Sequence, residues 1–214
     1  MKSRFMVVAC VAVLTACGGG SSNTPAAQGP PSAQSVADNS SDFSGVQKCP
    51  ESGSYDNYLK QEQTKNPSQY ATDSKDWTDI KAAGSNDAYV IVYAENSSDC
   101  GQFGAGTPTG KLAEVFAFRF KDSSSAAGNF KVQTKSFHLS DSDVSAIQAA
   151  GGTVKQGAAT GLGDNSIVVS LDFQGTTLYV AFWQNKEFEA AILVSNIPIT
   201  DGAAEATKIN SRIH

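Results

Sequence analysis

From Ser166 to Val194 the chain carries its strongest constraint. Ile167, Val169, Leu171 and Phe173 alternate with Ser166, Val168, Ser170 and Asp172, the two-residue period of a strand with one face buried. Gln174-Gly175 follows as a two-residue hairpin turn. That turn sets Leu171 opposite Leu178, Val169 opposite Val180 and Ile167 opposite Phe182, so apolar residues of one strand meet those of the next. A third strand returns after Asn185. A two-residue Asn185-Lys186 turn sets Phe182 opposite Glu189, whereas a three-residue Asn185-Lys186-Glu187 turn sets Phe182 opposite Ala190 and Val180 opposite Ile192. We expect the three-residue turn, because a one-residue slip puts Glu189 on the core face.

The rest of the chain supplies helices and further strands. Ser54 is placed to cap a helix over Tyr55 to Lys65, with Tyr58, Leu59 and Glu62 at helical spacing and Asn66-Pro67 as its stop. A short second helix is expected over Asp76 to Ala83, Trp77 and Ile80 facing inward, and then a β-rich run from Ala88 to Glu95. Glu114 to Lys121 alternates as a half-buried strand, with Phe116, Phe118 and Phe120 on one face and Ala117 and Arg119 on the other. Asp122 and Ser123 offer an N-cap for a helix to about Lys135, with Ala126, Ala127 and Phe130 apolar. Ser140-Asp-Ser-Asp143 has the pattern of a capping box opening a helix to Ala150, stopped by Gly151-Gly152. A last helix follows Ile197-Pro198, with Ala206, Ile209 and Ile213 on one side.

These elements predict an α+β domain: a twisted antiparallel sheet ending in a three-stranded meander, with helices packed on one face. The expected outer face mixes Trp183, Tyr179 and Leu193 with Glu189, Asp172 and Ser170. Aromatics flanked by acids on an open face make Trp183, Tyr179, Glu189, Asp172 and Leu193 the candidate partner surface.

The N-terminus is an address. Lys2 and Arg4 precede an apolar run from Phe5 to Leu14, which is shorter than the roughly 20 residues that a spanning helix needs. The run closes on Leu14-Thr15-Ala16-Cys17 before Gly18-Gly19-Gly20, which resembles a bacterial lipobox. That resemblance implies a signal peptide over residues 1–16, removed by a lipoprotein signal peptidase, and acyl chains such as palmitate on Cys17. Two or more chains hold a protein firmly, each buried methylene contributing about 0.8 kcal/mol. Membrane attachment through Cys17 is therefore expected, at the cell membrane or outer membrane, with the domain facing the periplasm or exterior.

From 17 to 44 the chain is mostly Gly, Ser, Ala, Pro, Asn and Gln, with no Lys or Arg and with Val36 its sole branched aliphatic. Such a stretch buries too little apolar surface to offset its ordering entropy. It is expected to be a flexible tether, roughly 30 Å long in r.m.s. terms, leading to a single domain over 45–214. Of four cysteines, Cys10 leaves with the leader and Cys17 is acylated, so Cys49 and Cys100 remain as a pair in an oxidising setting. We expect them to form a disulfide.

Composition excludes some chemistry. Removing Lys2 and Arg4 takes the formal charge from −5 to −7, and the remaining basic residues are scattered, so nucleic-acid binding is not expected. The chain has two histidines, His138 and His214. His138 lies near Asp141 and Asp143, which read as a solvated helix entry. Gly161-Leu162-Gly163-Asp164-Asn165 precedes a strand where a phosphate loop would open a helix, and so reads as a turn. Asp73, Asp76 and Asp79 lack the glycine and distal glutamate of a calcium loop. No catalytic residue, metal or cofactor is expected. The alternative is an envelope hydrolase of glycans or esters that uses Asp172 and Glu189 on the sheet face, or the His138 cluster.

Phe116-x-Phe118-x-Phe120-x-Asp122 with its following helix, Gly161-x-Gly163-Asp164-x-Ser166, the meander and a C-terminal helix ending Arg212-Ile213 together resemble small extracytoplasmic lipoprotein domains of the PsbP-like and kinase-sensor type. The resemblance covers about Glu114 to Ile213. It implies an extracytoplasmic domain that binds an envelope protein or small-molecule ligand or assists assembly, and it puts no catalytic residue on this chain.

Overall fold

A computed structural model describes residues 30–39, 43–100, 110–136, 139–173 and 175–213. The segment expected to be a signal peptide, Cys17, His138, Gln174 and His214 lie outside them. The described chain forms an open antiparallel sheet of eight strands in the order β1-β3-β4-β8-β7-β6-β5, with β2 also pairing β3. The strands are β1 (Gln47–Lys48), β2 (Gly53–Ser54), β3 (Ser85–Ala94), β4 (Leu112–Phe120), β5 (Thr153–Gln156), β6 (Ser166–Phe173), β7 (Thr176–Asn185) and β8 (Phe188–Ser195). The helices are α1 (Ala33–Ala37), α2 (Tyr55–Lys65), α3 (Pro67–Ala82), α4 (Ser123–Ser136), α5 (Asp141–Ala149) and α6 (Ile199–Ser211). The α+β class and the C-terminal meander are as the sequence predicts.

Local chemistry sets most boundaries. Asn66 ends α2 and caps α3, its Oδ1 accepting from Gln69 N–H, while Pro67 takes the first helical turn, where a missing N–H costs nothing. The helix expected from Asp76 therefore begins nine residues earlier, because asparagine before proline stops one helix and starts the next. Asp122 accepts from the Ser125 N–H at 2.7 Å at the head of α4, and the Ser140/Asp143 capping box opens α5.

The β6–β7 register is the expected one: Ile167 faces Phe182, Val169 faces Val180 and Leu171 faces Leu178. The β7–β8 register is not. Asn185 stays in the strand opposite Phe188, leaving a two-residue Lys186-Glu187 turn with Lys186 at φ 49°. Phe182 then faces Ala191, Trp183 faces Ala190 and Val180 faces Leu193. The Asn185 side chain donates to Asn210 Oδ1 on α6 at 2.9 Å, which holds it in the strand and moves the turn on by one.

Helices cover both faces, where the sequence led us to expect one. On the back face Trp183, Tyr179, Ala181, Ala190, Ile192, Val115 and Ile91 are buried beneath α1 and α6. On the front face Val90, Val92, Leu112, Phe118 and Phe120 pack under α2, α3 and the start of α4. The front core is aromatic: Tyr55 stands 5.1 Å from Trp77 and 5.2 Å from Phe118, centroid to centroid.

Residues 33–37, expected in the tether, are part of the domain. Ala33, Val36 and Ala37 are fully buried on the back face. The Ala33 N–H donates to Asp87 at 2.7 Å, and Arg212 Nε of α6 donates to the Val36 carbonyl at 2.8 Å. Arg212 also pairs with Glu205, a buried carboxylate that Lys208 approaches to 3.2 Å. The first and last helices are thus clamped together.

Candidate functional site

Beyond β4 the front face is less fully covered. Val169, Leu171, Leu178, Val180, Ala191 and Leu193 are half-buried there, a continuous apolar floor across β6, β7 and β8. Phe130 of α4 stacks on Phe182 at 4.8 Å and closes one side. Ile80 of α3 and Gln133 of α4 stand over the floor formed by Phe118, Val180, Phe182, Ala191 and Leu193, leaving a groove of about 250 Å³. A separate polar hollow between α3 and α4, lined by Lys75, Asp76, Asp79, Asn129, Val132 and Gln133, shares Gln133 with the groove and forms a rim on that side. Val132 is 61 % exposed at that rim. A concave, mostly apolar space with few polar groups is the usual form of a ligand site.

Glu189 supplies the polar group. It projects to the front because of the Lys186-Glu187 turn, lines the groove and is 1 % exposed. Asn129 Nδ2 donates to its two oxygens at 3.1 and 3.0 Å. Burial pushes its pKa up to about 8, while the Asn129 and Phe130 N–H donors pull the other way. Loss of hydration outweighs these two donors because both are neutral. Glu189 is therefore held as the acid at neutral pH.

A second group of acids lies under α2. Glu114 is pushed up to about 8 by burial and then by the nearby charges of Glu62, Asp73 and Glu51. Burial likewise raises Glu62 and Asp73. Glu51 is ion-paired to Lys65 on one oxygen, and its other oxygen, like Glu62 Oε2, is buried without a hydrogen-bond partner among the described residues. Glu51 lies beside the sulfurs of Cys49 and Cys100. Those sulfurs are joined in the expected disulfide, Cα to Cα 5.6 Å, so they are not free to bind a metal.

The expected partner surface is split by the sheet. Trp183 and Tyr179 are 0 % and 4 % exposed under α6, and Trp183 Nε1 has no hydrogen-bond partner among the described residues. Burial raises the Tyr179 hydroxyl to about 12. Asp172 is exposed on the back side of β6, while Ser170 beside it is buried. Glu189 and Leu193 are on the front and line the groove. Asp172 and Glu189 thus project from opposite faces and cannot flank one bond, which removes the carboxylate pair of the hydrolase alternative. The shifted β7–β8 turn moves Glu189 and Leu193 to the front, and α1 and α6, which cover the back face, bury Trp183 and Tyr179.

Asn129, Gln133 and Ile80 complete the groove and were not singled out as site residues in the sequence. Asn129 had a signal: it follows Ala126 by three residues, so it lies on the apolar stripe of α4 where a polar side chain needs a partner.

No family model matches the chain, and no curated protein does. Among solved structures it is similar to the extracellular domain of PknH from Mycobacterium tuberculosis. That likeness is weak: the TM-score is 0.40 and the identity 11 %, over 63 % of this chain and 68 % of that one. No helix among the described residues is long and apolar enough to cross a membrane.

Proposed function

We propose that this protein is a lipid-anchored, extracytoplasmic binding or accessory domain of the bacterial cell envelope, which holds a ligand or partner in the front-face groove and performs no chemistry on it. The groove carries the reading: an apolar hollow over the sheet, walled by α3 and α4, with one neutral acid at its inner end. Two features support the location. The lipobox-like Leu14-Thr15-Ala16-Cys17 supplies an anchor, and a disulfide of the Cys49–Cys100 kind persists in oxidising compartments.

The test has two arms. Cys17→Ser should move the protein from the membrane to the soluble fraction, and continued membrane association would remove the anchor. Leu193→Asp, which puts a charge on the groove floor, should abolish capture of the natural ligand or partner from envelope extracts while the fold survives by circular dichroism. Undiminished capture would remove the groove. Turnover of any substrate in a panel of glycans, esters and peptides would overturn the non-enzymatic part.

A further inference from the structure

What the groove can hold follows from the donors around Glu189, given the reading of the groove as a binding site. Its strand neighbours are Phe118 on β4 and Gln184 on β7. The Gln184 side chain is committed elsewhere, donating to the Lys186 carbonyl and accepting from Asn165. From α4 come the Asn129 amide and the Phe130 backbone N–H, both donors to the carboxyl. From α3 comes Ile80. A neutral carboxyl whose partners all donate still has its own O–H to place, and an unmet buried donor is costly. Glu189 lines the groove, where that proton can meet a ligand.

The rest of the groove describes the molecule that would meet it. The groove floor of Val180, Phe182, Ala191 and Leu193 continues along the same sheet face as the half-buried side chains of Leu178, Val169 and Leu171, and the four strand steps from Phe182 to Leu178 span about 13 Å. That surface is long and apolar. Lys75, Asp76 and Asp79 are the charged groups of the adjoining polar hollow at the rim, and Lys75 is already paired with Asp79 at 2.8 Å. The rim therefore has a net negative charge, in a chain that is itself acidic, which opposes entry of an anion.

We propose that the groove binds an uncharged, elongated apolar molecule bearing one hydrogen-bond-accepting oxygen, such as the carbonyl of an acyl ester or a ketone, and that the Glu189 O–H donates to that oxygen. Ionising Glu189 removes the donor and sets a buried negative charge against the ligand oxygen. Affinity therefore falls as pH rises through about 8.

The experiment uses the whole mature chain, ¹⁵N-labelled, with methyl decanoate, sodium decanoate and a leucine-rich neutral peptide as probes. Backbone shifts are followed at pH 6.5 and 9.5. Methyl decanoate is expected to shift Ile80, Asn129 and Leu193, to bind about tenfold more tightly than decanoate at pH 6.5, and to lose about tenfold at pH 9.5, the size of one hydrogen bond. Glu189→Gln keeps an N–H donor, so it should bind the ester and lose the pH dependence. Glu189→Leu should bind it about tenfold more weakly at both pH values. Equal binding by wild type and both variants at both pH values would overturn the role of the Glu189 proton while leaving the groove as a site. Shifts with the peptide alone would make the groove a protein-docking face and overturn the small-molecule reading. No shift at these residues with any probe would overturn the groove itself.

Discussion

Asn129 of α4 donates its side-chain amide to both carboxyl oxygens of Glu189 on β8, across 60 residues of chain. This contact ties a helix to a sheet through an acid that burial keeps protonated. Glu114, beneath α2, is in the same state for the same reason.

The pH dependence of stability follows. Both groups have folded-state pKa values near 8, raised from an ordinary 4.5, so between those values the folded chain holds protons that the unfolded chain has released. Stability is then fully present below about pH 4.5 and is lost as pH rises through about 8. Thermal melts should show Tm falling by about 5 °C or more from pH 5 to pH 9. The double variant Glu114→Gln, Glu189→Gln should flatten that slope, and an unchanged slope would show that neither acid holds its proton.

The Cys49–Cys100 bond closes a loop of 51 residues. In the chain-entropy account that is worth about 4 kcal/mol. Replacing both cysteines by serine should lower the urea midpoint correspondingly. It should leave the groove shifts at Leu193 in place, because the bond is at the β3 end of the sheet.

Val36 measures how firmly the N-terminal segment belongs to the domain. Val36→Ala should destabilise the fold by about 2 kcal/mol, while Gln34→Ala, exposed on the same helix, should change little. A free tether would make the two equivalent in chemical denaturation. Starting the chain at residue 45 should cost more than either, since it uncovers part of the back face.

Gly202 lies within α6, where alanine usually gains up to about 1 kcal/mol. Here a Cβ would stand 2.9 Å from Cδ1 of the buried Tyr179 ring. Gly202→Ala should therefore destabilise by about 1–3 kcal/mol. A rise in Tm would show that the ring yields.

The sequence made the meander legible because period-two alternation and a Gln-Gly turn leave little choice of register for β6 and β7. Phe116, Phe118 and Phe120, the caps at Asp122 and Ser140, and the stop at Asn66-Pro67 were legible for the same reason: each is a local rule. The groove was not. Its position depends on Asn185 bonding to Asn210, 25 residues later, and on Asn129 accepting the company of a buried Glu189, 60 residues away. Our expectation rejected a buried glutamate at that point in the sheet. The protein buries one and keeps it neutral. In the same way α1 was hidden because a five-residue helix of Ala, Gln, Ser and Val has no signal of its own and exists through Arg212, Asp87 and the sheet beneath it.

The two-residue bend at Lys186-Glu187 works as a parity switch. Every side chain after it is dealt to one side of the sheet or the other by whether the count of loop residues is even or odd. Inserting a single residue there would turn β8 over like a card, sending Phe188, Ala190 and Ile192 out to the trough and Glu189 into grease beneath α6. The length of that bend, more than the identity of any residue in it, therefore decides whether this protein has a receptacle at all.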